Sequence, residues 1–514
     1  MGERSEDLAW RRQQAHAGGG QKQLEALRAS GRGTARERID ALLDPESFIE
    51  IDALVSHRNS EHNLHLHPHY GDGVVAGHGC IDGRRVFCFS QDFTVFGGSM
   101  GEMHARKISK VIEMAERARV PLVGIWDGGG QRAHDGVHSL AATGEMLDRF
   151  VSCSGRIPVI SLVLGPVVGV SALAAGLADF IVLGEEHGQL FLSSPLETEE
   201  TISDEMTNEE LGGAHMHASR SGICCLTADD EGDAMEIAVE ILSFFPDHCG
   251  ACPPVLDSGD PHDRDCSELM TLVPDDSNRP YDMILAIKST VDDGHFVELF
   301  PMYADNIVIG LARLGGHPIG IIANQPKVLA GCLDIDSSIK AARFIRTCDA
   351  FNIPLLSFVD VPGFLPGTVQ EWGGIIRHGA KMLYAYAEAT VPMLTVVTRK
   401  AYGGAYLAMS CKHLESDYNI AWPTGELAVM GAEGAVNIIH RRELAESENR
   451  SSKHSELVDD YRNKFGDPYV AARNGWLDDV IEPNETRIRL IRALKPLLSK
   501  RVWQPPRKHG NIPL

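Results

Sequence analysis

Three observations predict an α/β fold in two tandem domains related by internal duplication. First, apolar runs of five to eight residues, such as Leu355–Val361 and Met393–Val397, alternate with segments of helical periodicity such as Ile375–Ala389, the pattern of β/α layering. Second, prolines lead these runs: Val120-Pro121 and Ile157-Pro158 in one half, Ile353-Pro354 and Val391-Pro392 in the other. Third, the landmarks recur at nearly one spacing, since 354 − 121 = 233 and 403 − 169 = 234, as duplication of a whole domain requires. The interval Pro246–Tyr281 is rich in Pro, Asp, Gly and Ser and reads as a linker. The expected division is an N-terminal domain 1–250, a linker 251–281 and a C-terminal domain 282–514.

Residues 1–45 read as polar helices interrupted at Gly18-Gly19-Gly20. Thr34 precedes Glu37 at capping-box spacing and opens an amphipathic helix, Thr34–Asp44, expected to serve packing or assembly. His57, His62, His65, His67 and His69 follow. Alternate side chains on a strand share a face and can bind metal there, but no Cys or acidic partner sits at ligand spacing, and a solvated loop is expected. Cys249-x-x-Cys252 is one pair where a zinc ribbon needs two, so no metal is predicted in this chain. Ile157–Ala178 carries no charge and is just long enough to span a bilayer. Its Pro158, Gly165, Pro166, Gly169 and Gly176 instead fit a buried strand–turn–helix, and no membrane span is expected.

Composition narrows the function classes. A chain of 514 residues that is 43% apolar can build two or more cores. Its net charge of −23 leaves no basic surplus for nucleic-acid phosphates. Eleven irregularly spaced cysteines behind a polar N-terminus fit reduced thiols and a cytoplasmic setting.

The chemistry is concentrated at Tyr402-Gly403-Gly404-Ala405-Tyr406, between an apolar strand and a helix. Glycines there let a ligand approach the backbone without Cβ interference. Backbone N–H groups at the start of the helix can hold a developing oxyanion. Gly169-Val170 stands at the matching place in the first half. Gly97-Gly98-Ser99 lacks the Lys-Ser/Thr that would make it a P-loop.

The segments Phe358–Thr368, Gly374–Lys381, Tyr384–Pro392 and Arg399–Tyr406, with Ser90–Ile108, Ala323–Pro326, Leu333–Arg346 and Ala421–Val436, resemble in order the carboxyltransferase β subunit of biotin-dependent acyl-CoA carboxylases, propionyl-CoA carboxylase type. The resemblance implies that each half is a β/α spiral of the crotonase kind. It implies transfer of CO2 from N-carboxybiotin to the α-carbon of an acyl-CoA through an enolate. Gly169 and Val170 would then donate N–H groups to the thioester oxygen, and Gly404 and Ala405 to the biotin carbonyl. Gly403, Tyr406, Leu407, Gly129 and Gly130 would line the substrate. Arg399 and Lys400 become candidates for the CoA phosphates. The N-terminal half of one subunit would face the C-terminal half of another, within a hexamer built as a dimer of trimers. The chain has no Met-Lys-Met carrier motif, so the biotin would arrive on a separate biotin carboxylase/biotin carrier subunit.

The acyl-side motifs depart from the family pattern. Val170 replaces the second glycine of a Gly-Gly pair, and its branched Cβ is expected to resist a positive φ. Asp127–Ala133 replaces an Asp-Ser-Gly-Gly-Ala-Arg-Ile stretch, Leu173-Ala174-Ala175 a Tyr-Ser-Pro, and Leu407 an Asp. A more apolar pocket at Leu407 favours an acceptor bulkier than propionyl-CoA. The alternatives are an ordinary propionyl- or acetyl-CoA enzyme and a non-catalytic assembly paralogue.

Overall fold

The computed structural model describes residues 2–58, 68–194, 198, 206–274, 276, 279–503 and 505–513. His62, His65 and His67 lie outside them. The chain forms two compact units, Met1–Cys252 and Pro253–Leu514.

The first unit is built on an eight-stranded sheet. Its strands are β1 (Ile49–Glu50), β2 (Val74–Ile81), β3 (Arg84–Gln91), β4 (Leu122–Gly128), β5 (Val159–Val168), β6 (Phe180–Gly184), β7 (Gln189–Phe191) and β8 (Leu226–Ala228). The order is β1-β2-β3-β4-β5-β6-β8, with β7 paired to β5. The pairs β1/β2 and β2/β3 are antiparallel and the rest parallel. β4 is buried along its whole length, as expected of a parallel strand covered on both faces. The helices Glu102–Ala118 and Val137–Cys153 bury Ile108, Val111, Ile112, Met146 and Phe150 in the core of this unit, with Trp126 and Val163 from the sheet.

The second unit repeats this plan with β9 (Phe296–Leu299), β10 (Ile307–Leu314), β11 (His317–Asn324), β12 (Leu355–Val361), β13 (Met393–Tyr402), β14 (Tyr418–Ala421), β15 (Glu426–Ala428) and β16 (Asp479–Val480). The order β9-β10-β11-β12-β13-β14-β16, with β15 on β13, reproduces the first sheet strand for strand. The spacing predicted from sequence holds to the residue: β10, β11 and β12 start 233 positions after β2, β3 and β4 (307 − 74, 317 − 84, 355 − 122), and β13 starts 234 after β5 (393 − 159).

The duplication reaches individual hydrogen bonds. Gln91 Oε1 accepts the Asp127 N–H at 3.0 Å, and Asn324 Oδ1 accepts that of Asp360 at 3.2 Å. Phe96-Gly97-Gly98 and Leu329-Ala330-Gly331 both turn through three consecutive residues of positive φ. Only glycine fits the last position, because a Cβ on Gly98 or Gly331 would come within 2.2 or 2.5 Å of the carbonyl oxygen of Asp127 or Asp360. This close packing accounts for Gly98 in the Gly97-Gly98-Ser99 motif.

Each unit also buries one lysine at the matched position. Lys107 Nζ donates to the Val74 carbonyl at 2.7 Å and Lys340 Nζ to that of Ile307 at 2.8 Å. Loss of hydration on burial lowers both ammonium groups to about 8. The unfolded chain keeps these protons up to about pH 10.5, whereas the folded chain releases them from about pH 8. Stability contributed by these lysines therefore rises with pH across that window. Urea midpoints measured from pH 8 to 10 should increase, and Lys340→Met should flatten the slope.

One sequence expectation changes here. Of the expected linker 251–281, the described residues from Pro253 onward pack on the second unit. Cys266, Leu269 and Tyr281 belong to its core, and the Leu256 N–H donates to the Gly316 carbonyl at 3.0 Å. Their Pro- and Asp-rich composition conceals apolar anchors spaced too widely to show periodicity. The uncharged Ile157–Ala178 stretch is β5 followed by the helix Val170–Gly176. Among the described residues no helix is long and apolar enough to cross a membrane, and no group of three His, Cys, Asp or Glu is placed to hold a metal ion. All eleven cysteines are free thiols.

Candidate active site

Each unit ends its fifth strand in sequence order with the same device, a glycine of positive φ followed by a short helix. In the first unit β5 runs into Gly169, with φ 68° and ψ −134°, and the helix Val170–Gly176 begins at once. In the second, β13 runs into Gly403, with φ 58°, the first residue of the helix Gly403–Leu407. A Cβ on Gly403 would approach the Val429 carbonyl oxygen to 2.9 Å, whereas one on Gly169 would find its nearest neighbour, the Leu192 carbonyl oxygen, at 4.0 Å. Backbone conformation requires glycine at both positions, and close contact adds to that requirement only at Gly403.

In the first unit the unengaged N–H groups stand one residue further on than the expected Gly169/Val170 pair. The Gly169 N–H is engaged with the Phe191 carbonyl of β7 at 2.8 Å. Gly169 therefore supplies the turn and not a free donor. The positive φ falls on Gly169 and not on Val170, so the expected conflict between the branched Cβ of Val170 and its backbone does not arise. The N–H groups of Val170 and Ser171, in the first helical turn, have no acceptor among the described residues. Ser171 is buried, and its Oγ has no partner among the described residues. At the second site the N–H groups of Gly404 and Ala405 are likewise free. Because 404 − 170 = 405 − 171 = 234, Val170/Ser171 and Gly404/Ala405 are the matched pairs.

The other predicted site residues gather around these helix starts. The Gly129 N–H donates to the Gly97 carbonyl at 2.9 Å, and the Gly130 carbonyl accepts from Met100 at 2.7 Å. A Cβ on Gly130 would lie 3.3 Å from the Val168 carbonyl oxygen, so this loop rests against the residue preceding Gly169. Tyr406 is nine-tenths buried, its hydroxyl has no partner among the described residues, and burial pushes its phenol up. Leu407 is 41% exposed. Phe364, which no sequence signal marked, has its ring edge about 3.9 Å from where a Gly404 Cβ would lie and about 3.0 Å from the Cβ position of Gly379.

Arg399 is not available as a CoA ligand. Its Nε and Nη2 grip Asp360 Oδ2 at 3.0 and 2.9 Å, and only 5% of the residue is exposed. The Lys400 backbone N–H donates to Asp360 Oδ1 at 3.1 Å. Asp360 thus clamps the end of β13 just before Gly403. Asn324 and Gln325, which sequence left without a role, are structural: Asn324 also donates to the Gly331 carbonyl, and Gln325 to Asp282. Neither helix start carries a carboxylate or an imidazole. What both offer chemically is a pair of backbone dipoles aimed out of the first turn, suited to an oxygen that gains negative charge.

The carboxyl transferase domain family matches residues 26–512. The chain is 48% identical over 514 residues to the propionyl-CoA carboxylase carboxyltransferase subunit of Haloferax mediterranei, covering 100% of both. It is 50% identical over 498 residues to the methylmalonyl-CoA decarboxylase subunit alpha of Veillonella parvula, covering 97% of this chain and 96% of that one. Among solved structures it superimposes with a TM-score of 0.97 and 44% identity on the transcarboxylase 12S hexamer core with methylmalonyl-coenzyme A and methylmalonic acid bound, covering 100% of this chain and 98% of that one. Two matched sheets, two matched helix starts and these full-length likenesses agree: the chain belongs to the carboxyl transferase family, as a carboxyltransferase of the biotin-dependent acyl-CoA carboxylases.

Proposed function

We propose that this chain moves a carboxyl group from biotin, carried on a partner subunit, to the α-carbon of propionyl-CoA, giving methylmalonyl-CoA. The observation that carries this reading is the full-length likeness to propionyl-CoA carboxylase chains, at 48% identity over 514 residues. It favours propionyl-CoA over the bulkier acceptor expected from Leu407, and Val170 sits without strain in a helical first turn.

In this reading Val170 and Ser171 donate their N–H groups to the thioester oxygen. As the α-proton leaves, the C–H electrons delocalise onto that oxygen, and the two dipoles hold the charge without reorganising. The enolate carbon then forms the new bond to the carboxyl carbon. Biotin, when bound, would supply that carboxyl group as its N–CO2 bond breaks, and the nitrogen so freed would take the α-proton. Gly404 and Ala405 hold its carbonyl oxygen, and the unpartnered Tyr406 hydroxyl offers a further donor at the same helix. Gly403, Leu407, Gly129 and Gly130 shape the walls. Assembly follows the transcarboxylase 12S plan, a hexamer in the cytoplasm served by a biotin carboxylase/biotin carrier subunit.

A second reading has one specific observation behind it, the 50% identity to a methylmalonyl-CoA decarboxylase subunit. There the same groups run the transfer from methylmalonyl-CoA toward biotin.

The test is a carboxylation assay with the co-purified biotinylated partner on acetyl-, propionyl-, butyryl- and longer acyl-CoAs, read by mass spectrometry. Propionyl-CoA should give the highest kcat/KM. A longer acyl-CoA preferred tenfold would overturn the assignment, as would silence on every substrate with the complex intact. Leu407→Asp should lower kcat/KM for butyryl-CoA more than for propionyl-CoA, because a carboxylate disfavours an added methylene in the pocket.

A further inference from the structure

The eleven cysteines of this chain are unevenly placed. Seven are buried, Cys80 and Cys332 are half-buried, and Cys249 and Cys252 are the two exposed ones. Burial pushes the thiols of the buried seven up, those of Cys88, Cys153 and Cys224 to about 12. A thiol that keeps its proton is a poor nucleophile, so those seven are inert. The two cysteines open to solvent are also the pair that stands three positions apart, in Asp247-His248-Cys249-Gly250-Ala251-Cys252.

The backbone between them turns back on itself. The Ala251 N–H donates to the His248 carbonyl at 2.9 Å, closing a turn with Cys249 and Gly250 at its corner. His248 Nδ1 accepts the Gly250 N–H at 3.0 Å and pins that corner. The chain bends again at Ala251, which carries the reversal on to Cys252. Residues three apart in such a turn lie within about 7 Å, the range in which Cα atoms accept a disulfide.

The turn also sits at a boundary. The Cys249 N–H donates to the Arg156 carbonyl of the first unit at 2.9 Å, and the Leu256 N–H donates to the Gly316 carbonyl of the second at 3.0 Å. The chain passes from one unit to the other between Cys252 and Pro253. The rings of Pro253 and Pro254 fix their φ angles, so much of the rotational freedom of this passage lies in the turn that the two cysteines bracket.

We propose that Cys249 and Cys252 form a redox-active dithiol, a modification site that exchanges with disulfides of the glutathione class. One thiolate of the pair attacks a sulfur of the oxidant, whose S–S bond breaks and releases one thiolate. The other cysteine then attacks the mixed disulfide at the protein sulfur, the Cys249–Cys252 bond forms, and the second thiolate leaves. Two electrons pass to the oxidant, and the two cysteine protons end on the released thiols. Closing this ring fixes the turn just before the chain leaves the first unit. Neither residue belongs to the two helix starts, so the site is independent of the proposed carboxyl transfer.

The test equilibrates the full-length assembled protein with glutathione and glutathione disulfide in varied ratio, then alkylates and digests it for mass spectrometry. At oxidising ratios the peptide holding Cys249 and Cys252 should lose two hydrogens and resist alkylation, and dithiothreitol should restore both thiols. In the reduced protein the pair should alkylate about tenfold faster than any buried cysteine. Cys249→Ser and Cys252→Ser should each trap the remaining cysteine as a mixed disulfide with glutathione, because the resolving thiol is gone. A pair that stays fully alkylatable at ratios that oxidise a free Cys-Gly-Ala-Cys peptide overturns the proposal, as does oxidation that links chains instead of closing the turn. Zinc bound to the reduced protein and lost in both variants would overturn it too, by making the pair ligands of a metal shared between chains.

Discussion

Replacing Gly404 with proline should lower turnover on propionyl-CoA by about 10²–10³-fold, or roughly 3–4 kcal/mol of barrier, the cost of one lost oxyanion donor. Proline is the informative substitution because it deletes the N–H and little else. Gly404 is the second residue of the helix Gly403–Leu407, where the N–H has no intrahelical acceptor and a proline ring is tolerated. Its φ is negative, as proline requires. The nearest atom to a Cβ there is the Phe364 ring edge at 3.9 Å, an ordinary contact. The far-UV spectrum and the oligomeric state of the parent should persist. KM for the acyl-CoA should move little, since in the proposed function the lost donor serves the biotin side. Gly404→Ala is the matched control: it keeps the N–H and should retain activity within about tenfold. Full activity in Gly404→Pro would remove this N–H from the mechanism.

Asp127→Asn should destabilise the first unit by about 3–5 kcal/mol, the cost of stranding a buried cation. Asp127 is fully buried and is shared between Arg32 and Arg38, the latter at 2.8 Å. Arg38, itself 2% exposed, reaches Glu231 with Nη2 at 2.5 Å and Nε at 3.0 Å. The asparagine keeps the shape and loses the charge. A lower denaturant midpoint at unchanged slope would show the effect. A midpoint within about 0.5 kcal/mol of the parent would mean that water already screens the group.

The sequence made the fold legible because its evidence was periodic. Proline-led apolar runs located β4, β5, β12 and β13, and one spacing tied the halves together. Gly169 and Gly403 could be picked out because a strand ending in glycine before a helix is a local pattern. The donor register at the first site was not visible, because which residue carries the positive φ depends on β7 delivering the Phe191 carbonyl to Gly169. The anchors of Asp127 and Asp360 were hidden for a similar reason: Arg38 lies 89 positions from Asp127 and Arg399 lies 39 from Asp360, and no window of sequence relates them. Tyr281, counted as the end of a linker, hydrogen-bonds Thr398 at 2.7 Å, 117 residues away.

The residue-for-residue repeat of the two sheets makes the chain an alignment of two sequences written end to end. Where both halves chose the same residue — Pro121 and Pro354, Lys107 and Lys340, Asp127 and Asp360, Gly98 and Gly331, Gly169 and Gly403 — the shared backbone sets the choice, and variation there threatens folding. Where they diverged, at His104 and Ser337, Val170 and Gly404, Ser171 and Ala405, one scaffold has accepted two answers. Those are the positions at which each half can be recoded with its twin's residue, so the protein supplies its own pre-tested library for redesigning one site without unfolding the other.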